Sequence, residues 1–195
     1  MHRKHLLLLF LFSCSITTGF CQEHETVLTL PENWKSEIIP FPLGFAQDID
    51  LEGFEDLRFA PNWSDSTSEN FWTYMFVWYI EKESAMTENK LTAYFNSYYD
   101  GLMGVNFKNR EGVINPNNLD KTICLFIKTN EGFTGKMRVY DKFFSKDYIT
   151  LNAKVRESFC PKTNKQIILF EISPKEFGHE VWNIFEDVQL KVKCK

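Results

Sequence analysis

Histidine is scarce in this sequence, which contains four in 195 residues. His2 and His5 belong to a basic N-terminal stretch, which leaves His24 and His179 for a folded site. A zinc site needs histidines or cysteines at metal-ligand spacing, and a His-based triad needs a base beside its nucleophile. The sequence has neither pattern, and it lacks a Gly-x-Ser-x-Gly elbow and a phosphate-binding glycine loop. We therefore predict no metal site, no cofactor and no His-based hydrolysis.

Positive charge is also in short supply. The chain has 22 basic and 26 acidic residues, a net charge of −4. Residues 1–21 hold two basic residues and no acidic one, so without them 22 − 2 = 20 basic residues face 26 acidic ones, a net charge of −6. A nucleic-acid surface needs a stripe of Lys and Arg, and the densest basic stretch, 191–195, is interrupted by Val192 and Cys194. We expect no nucleic-acid partner.

No apolar run reaches the roughly 20 residues that a membrane-spanning helix needs. The run 6–12 is short, follows basic residues and leads into the small and polar stretch 13–19, a pattern typical of a secretory signal peptide. Cleavage after Cys21 leaves Gln22 as the first residue. The alternative is a lipoprotein acylated at Cys14, although Phe12 occupies a position where a small residue is preferred. We predict a signal peptide at 1–21, no transmembrane segment, and a secreted or periplasmic bacterial protein.

Cysteine is sparse after that cleavage, with Cys124, Cys160 and Cys194 remaining. An exported protein meets oxidants, so three cysteines predict one disulfide and one thiol. Cys124 lies in the apolar stretch 123–127, where a small buried residue is expected. Cys160 ends a predicted strand before Pro161, and Cys194 is next to last. We predict a disulfide between Cys160 and Cys194.

Aromatic residues are abundant, at 16% of the chain. The richest stretch is 71–80, in which Thr73 is the one residue that is neither aromatic nor aliphatic. One alternating set contains Trp72, Tyr74, Phe76, Trp78 and Ile80, and the other contains Phe71, Met75, Val77 and Tyr79. A strand that is apolar on both faces is covered on both faces. We predict a central strand here.

The remaining pattern alternates strands with two amphipathic helices. Predicted strands lie at 36–43, 48–59 with a bend at Gly53, 121–128, 135–144, 148–155 and 166–172. Residues 121–128 and 166–172 are predicted to be central strands because both of their faces are apolar. A helix is predicted from Thr87 to Gly101 or Gly104, and a second one follows Pro174. Residues 23–29 are predicted to be a flexible lead, and 105–120 to be irregular.

This order predicts an α+β domain over 22–195, with an antiparallel sheet of about six to seven strands and two helices packed on it. The order is similar to the PsbP-like fold, an α-β-α sandwich, and Leu30-Pro31-Glu32-Asn33-Trp34 resembles the opening of such domains. Segments 31–46, 53–63 and 168–182 resemble uncharacterised secreted bacterial proteins. That resemblance spans most of the mature chain and implies no known activity or site.

A calcium motif is suggested by Asp48, Asp50 and Glu52, which alternate ahead of Gly53 like the start of an EF-hand loop. The twelfth position of such a loop requires a bidentate Glu, and here it is Phe59. The simpler interpretation is a strand whose apolar residues point inward while its acids face water. We predict no calcium site.

Binding is the function class that the sequence favours. Trp63 stands in a polar loop beside Asp65, and Tyr99 lies with Tyr98 near the end of the first predicted helix. Exposed aromatics beside hydrogen-bonding groups are usual in ligand pockets, so we predict that Trp63, Asp65 and Tyr99 bind an unknown small molecule or protein. The predicted function is an exported non-enzymatic binding or accessory protein. The alternative is a carboxylate-dependent hydrolase, since two acidic residues suffice for glycoside hydrolysis. The spacing of the acidic residues in the sequence does not indicate which two would form the catalytic pair.

Overall fold

A computed structural model describes residues 25–104 and 120–194. Its strands are β1 (Lys35–Pro40), β2 (Gly53–Phe59), β3 (Tyr74–Glu81), β4 (Ile123–Thr129), β5 (Gly132–Tyr140), β6 (Tyr148–Cys160) and β7 (Lys165–Ser173). They form one antiparallel sheet in the order β1-β2-β3-β7-β6-β5-β4. The fold is α+β and mostly sheet, as predicted. The predicted signal peptide at 1–21 and residues 105–119 lie outside the described part of the chain.

The predicted helix is confirmed as α1 (Glu88–Met103), whose buried side chains pack with strand residues in the larger core. The Thr87 side chain accepts a hydrogen bond from the Lys90 N–H at its start. Gly104 ends it with φ 74°, a left-handed conformation that glycine adopts without a steric penalty. Leu91 and Phe95 point from α1 into the larger core, which lies between the helix and the sheet.

Strand β3 is interior, as the aromatic pattern predicts, and pairs with β2 and β7. Phe76 is fully buried and stacks on its cross-strand neighbour Phe170, with ring centroids 4.5 Å apart. The strand begins at Tyr74, later than predicted, because Trp72 has φ 51° and turns the chain just before it.

The second predicted helix is a short 3-10 helix, Glu180–Asp187, on the opposite face of the sheet. Its buried residues are Val181, Trp182 and Phe185. His179 stands at its start, where Nδ1 accepts a hydrogen bond from the Val181 N–H.

Strand β4 is not central, which corrects the prediction for 121–128. It is the last strand of the sheet and pairs with β5. Cys124 and Phe126 are buried under α1, whereas Ile123, Leu125 and Ile127 are 63%, 66% and 56% exposed. Apolar residues on both faces therefore do not guarantee that both faces are covered.

The predicted strand at 48–59 is shorter than expected, since β2 begins at Gly53. Gly53 has φ 137°, and a Cβ there would lie 2.2 Å from the Tyr79 carbonyl oxygen, so the position requires glycine. In the preceding loop Ile49 and Leu51 are buried, while the acids of the calcium-like motif, Asp48 and Asp50 among them, face water.

The predicted flexible lead at 23–29 is wrong for its described part. Val27 and Leu28 are buried, and both donate backbone hydrogen bonds to Asp56, at 2.8 and 3.0 Å. Arg58 forms a buried ion pair with Asp56 and donates to the carbonyls of Leu28 and Thr29. This buried pair fixes the segment against β2.

The predicted disulfide is present between Cys160 and Cys194, whose Cα atoms are 4.8 Å apart. Among the described cysteines, Cys124 is the free thiol; it is buried, and burial raises its pKa well above the usual range. Within residues 25–104 and 120–194 no helix is long and apolar enough to cross a membrane.

Candidate functional site

A pocket lined mainly by aromatic rings opens between the β1–β3 end of the sheet, α1 and three loops. Its volume is about 210 Å³. We call it the aromatic pocket, and its lining residues are Glu37, Ile39, Phe45, Leu57, Phe59, Trp63, Trp72, Tyr74, Tyr98, Leu102, Phe143 and Phe144. A concave apolar site with few polar groups is the usual form of a ligand pocket.

The loop 60–73 positions Trp63 in this pocket. The Ala60 N–H donates to the Thr73 carbonyl at 3.1 Å, and the Trp72 N–H donates to the Trp63 carbonyl at 2.8 Å. These bonds cross the loop and hold its two ends together. The half-buried Trp63 ring stacks on Phe59, with centroids 4.4 Å apart.

Phe143 and Phe144 are positioned by the loop between β5 and β6. Asp141 precedes them, and its buried carboxylate accepts backbone hydrogen bonds from Phe143, Phe144 and Ser145 at 2.9, 3.1 and 2.7 Å. Burial favours a higher pKa for Asp141, but the N–H donors, led by Ser145, outweigh it and lower the pKa. The bonds fold the loop so that Phe144 lies edge-on to Trp63, with centroids 5.2 Å apart.

Two carboxylates define the electrostatics of the pocket. Glu37 lines it from the exposed strand β1. Glu55 is fully buried and accepts hydrogen bonds from Trp78 Nε1 at 2.7 Å and from the Tyr98 hydroxyl at 2.9 Å. Burial raises the pKa of Glu55 to about 7 against the lowering effect of these two donors, and the charge of Glu37 adds to the rise. Tyr98 thus links the pocket wall to an ionisable group in the core.

The structure separates the three residues predicted to bind a ligand. Trp63 lines the aromatic pocket. Tyr99 is fully buried in the core, where its hydroxyl is hydrogen-bonded to that of Tyr74, a pocket residue. Asp65 is exposed in the loop and accepts hydrogen bonds from the Thr67 N–H and hydroxyl, which lower its pKa.

Glu37, Phe143 and Phe144 are pocket residues that the sequence prediction missed. The predicted strand 135–144 ends on Phe143 and Phe144, whereas β5 ends at Tyr140. Two adjacent aromatics followed by Ser145-Lys146-Asp147 resemble the exposed-aromatic pattern that points to Trp63. The register of β1 with β2, which brings Glu37 opposite the pocket residue Leu57, gives no signal in a single sequence.

A second, polar cleft of about 460 Å³ lies on the opposite sheet face, beside the 3-10 helix. It contains three carboxylates, Glu171, Glu180 and Glu186, together with His179. Burial raises the pKa of Glu171, which is ion-paired with Arg156. Within the described residues, no group of three or more potential ligands is arranged to hold a metal ion.

The fold and the aromatic pocket define an α+β protein with a preformed apolar site at one end of its sheet. No protein-family model matches the chain, and comparisons with curated proteins and with solved structures find no match either. The functional argument therefore rests on the residues of the pocket.

Proposed function

We propose that this chain is an exported, non-enzymatic binding or accessory protein that holds an apolar group in the aromatic pocket. The observation that carries the proposal is a pocket of about 210 Å³ with eight aromatic residues in its lining. A dry cavity of about 150 Å³ holds a benzene molecule, whereas pockets for whole drug-sized ligands begin near 300 Å³. The pocket suits one aromatic ring or a short aliphatic chain, presented by a small molecule or by a protein.

The walls of the pocket are held in place without a ligand. Hydrogen bonds across the loop 60–73 fix Trp63, and the Asp141 carboxylate fixes Phe144. A preformed site loses less conformational freedom on binding, which favours affinity. The buried Trp63 indole nitrogen also has no hydrogen-bond partner among the residues that the structure describes, and a buried donor is rarely left unpaired.

The aromatic pocket gives less support to the alternative, a carboxylate-dependent hydrolase. Such an enzyme needs two carboxyl groups that face the substrate, and Glu37 is the one carboxylate that the described residues contribute to the pocket lining. Glu55 lies in the core behind Tyr98, with both oxygens already accepting hydrogen bonds. The polar cleft holds more acids, and the hydrolase alternative would use that cleft.

Two features support the wider proposal of an exported protein with PsbP-like layering. A disulfide between Cys160 and Cys194 is compatible with an extracytoplasmic location. Phe95 packs on one face of the sheet and Trp182 on the other, an arrangement compatible with the layers of an α-β-α sandwich. Mass spectrometry of the native protein should find Gln22 at its N-terminus, and retention of residues 1–20 would contradict export by cleavage.

Titration with benzyl alcohol tests the binding proposal. In ¹⁵N-labelled protein the indole signal of Trp63, assigned with a Trp63→Phe variant, should shift in a saturable way. Trp63→Ala, followed through the indole signal of the pocket residue Trp72, should abolish binding because it removes the ring that contacts Phe59 and Phe144.

Phe159→Ala is the matched control, because Phe159 is a 41% exposed aromatic that is not part of the pocket. This variant should bind benzyl alcohol like the wild type. A titration in which Trp63 stays unperturbed while other surface signals shift would contradict the proposed site.

A further inference from the structure

Among the residues that the structure describes, Glu37 is the one charged residue in the lining of the aromatic pocket. Glu37 lies on the same sheet face as the pocket residue Ile39 and is paired across the strands with Leu57. The two tyrosine hydroxyls of the lining are already bonded, that of Tyr74 to Tyr99 and that of Tyr98 to Glu55. The Glu37 carboxylate is therefore the charged group that a ligand in the pocket meets.

The aromatic rings of the pocket also favour a positively charged ligand. The faces of aromatic rings carry partial negative charge and attract cations that approach within about 6 Å of the centroid. The chain itself provides an example, since the Lys142 ammonium lies 4.9 Å from the ring centroid of Phe143, a pocket residue. Behind Tyr98, Glu55 adds further negative potential whenever it is ionised.

On the basis of the proposed binding function, we propose that the aromatic pocket selects an apolar cation, namely an alkylammonium or quaternary ammonium group. The methyl groups of such a cation would contact the rings while its charge faces Glu37. Carboxylate and aromatic walls together recognise this class of ligand, and a trimethylammonium group is small enough for about 210 Å³.

Choline and 3,3-dimethylbutan-1-ol form a matched pair of probes, since they have the same shape and differ by the charged nitrogen. Both are titrated into ¹⁵N-labelled protein while the Trp63 indole signal is followed. We expect choline to bind about tenfold more tightly than the alcohol, the scale of a cation held by aromatic rings and a carboxylate.

Glu37→Gln should remove most of that preference without unfolding the protein, because Glu37 is exposed. Lys35→Gln is the matched control, since Lys35 lies on the same strand and sheet face, opposite the pocket residue Phe59, but is not part of the lining. This variant should keep the preference for choline or increase it.

Equal or tighter binding of the neutral alcohol would overturn the proposal, as would a preference that survives Glu37→Gln. If benzyl alcohol shifts the Trp63 signal and choline does not, cation selectivity is wrong and the proposed binding function stands. If none of the three probes shifts it, both proposals are wrong.

Discussion

Glu55 and Asp141 are both buried carboxylates, and their surroundings shift their pKa values in opposite directions. Asp141 accepts backbone N–H bonds from its own loop, which lower its pKa although burial opposes them. Glu55 has two side-chain donors, and these do not offset the loss of hydration, so its pKa rises to about 7. Asp141 therefore serves as a structural anion, whereas Glu55 titrates near neutral pH.

Glu55 should make the protein less stable as the pH rises. Its pKa is about 7 in the folded protein against 4.5 for an ordinary Glu, so the folded state binds the proton more tightly. The contribution is fully present below pH 4.5 and is lost as the pH rises through about 7, a change of roughly 3 kcal/mol in the free energy of unfolding. Denaturant unfolding measured from pH 4 to pH 8 should show this decline.

Glu55→Gln should flatten that profile, because the amide matches the neutral carboxyl and can still accept from Trp78 Nε1 and donate to Tyr98. At pH 8 the variant should be more stable than the wild type. An unchanged profile in Glu55→Gln would assign the pH dependence to another group.

At the scale of elements, strand positions are more predictable than strand neighbours. The aromatic and β-branched content of β3 and β7 locates them, and their two apolar faces correctly indicate the interior of the sheet. The same pattern in β4 fails, because Ile123, Leu125 and Ile127 are exposed on an outermost strand. Local periodicity records which residue types alternate, and it contains no information about what packs against each face.

Strand β4 allows a direct test of this difference. Leu125→Ser should change the free energy of unfolding by less than about 0.5 kcal/mol, as expected for a surface position, because Leu125 is 66% exposed. Phe126→Ala should cost about 3 to 5 kcal/mol, because Phe126 is buried against Phe95 with ring centroids 4.9 Å apart. Similar losses in the two variants, measured by urea unfolding, would show that both faces of β4 are covered.

The candidate site was predictable in part. A tryptophan in a polar loop points to Trp63 from the sequence alone, since aromatic rings beside hydrogen-bonding groups are common in binding sites. Tyr98 and Tyr99 are neighbours on α1, and sequence cannot decide which one lines a pocket and which supports it. The remaining walls come from β1 and from the loop after β5, which long-range pairing and the Asp141 turn bring to one end of the sheet.

For the whole molecule, the disulfide connects the end of β6 to the last residues of the chain. Replacing Cys160 and Cys194 with serine should lower the free energy of unfolding by about 3 to 4 kcal/mol, from the chain entropy of a loop with a sequence separation of 34. The aromatic core should still fold. Denaturant unfolding of the double variant measures the loss.

Thiol labelling provides the control for the disulfide variants. Cys124 is buried and its pKa is raised by burial, so it should react with a thiol reagent only after unfolding, in the wild type and in the double variant alike. Rapid labelling of folded wild-type protein would show that Cys124 is accessible, and labelling at Cys160 or Cys194 would show that the bridge is absent.

The order of the strands also has a consequence for how the chain folds. β1, β2 and β3 pair with their neighbours in sequence, as do β4, β5, β6 and β7, so each group can form from short-range contacts. The two groups meet at the β3–β7 pairing, which joins Phe76 to Phe170, 170 − 76 = 94 residues apart in sequence. Closing so long a loop is slow, since its entropy is lost before its contacts form. We expect this pairing to limit the folding rate, so that Phe76→Leu slows refolding while Leu125→Ser leaves the rate unchanged.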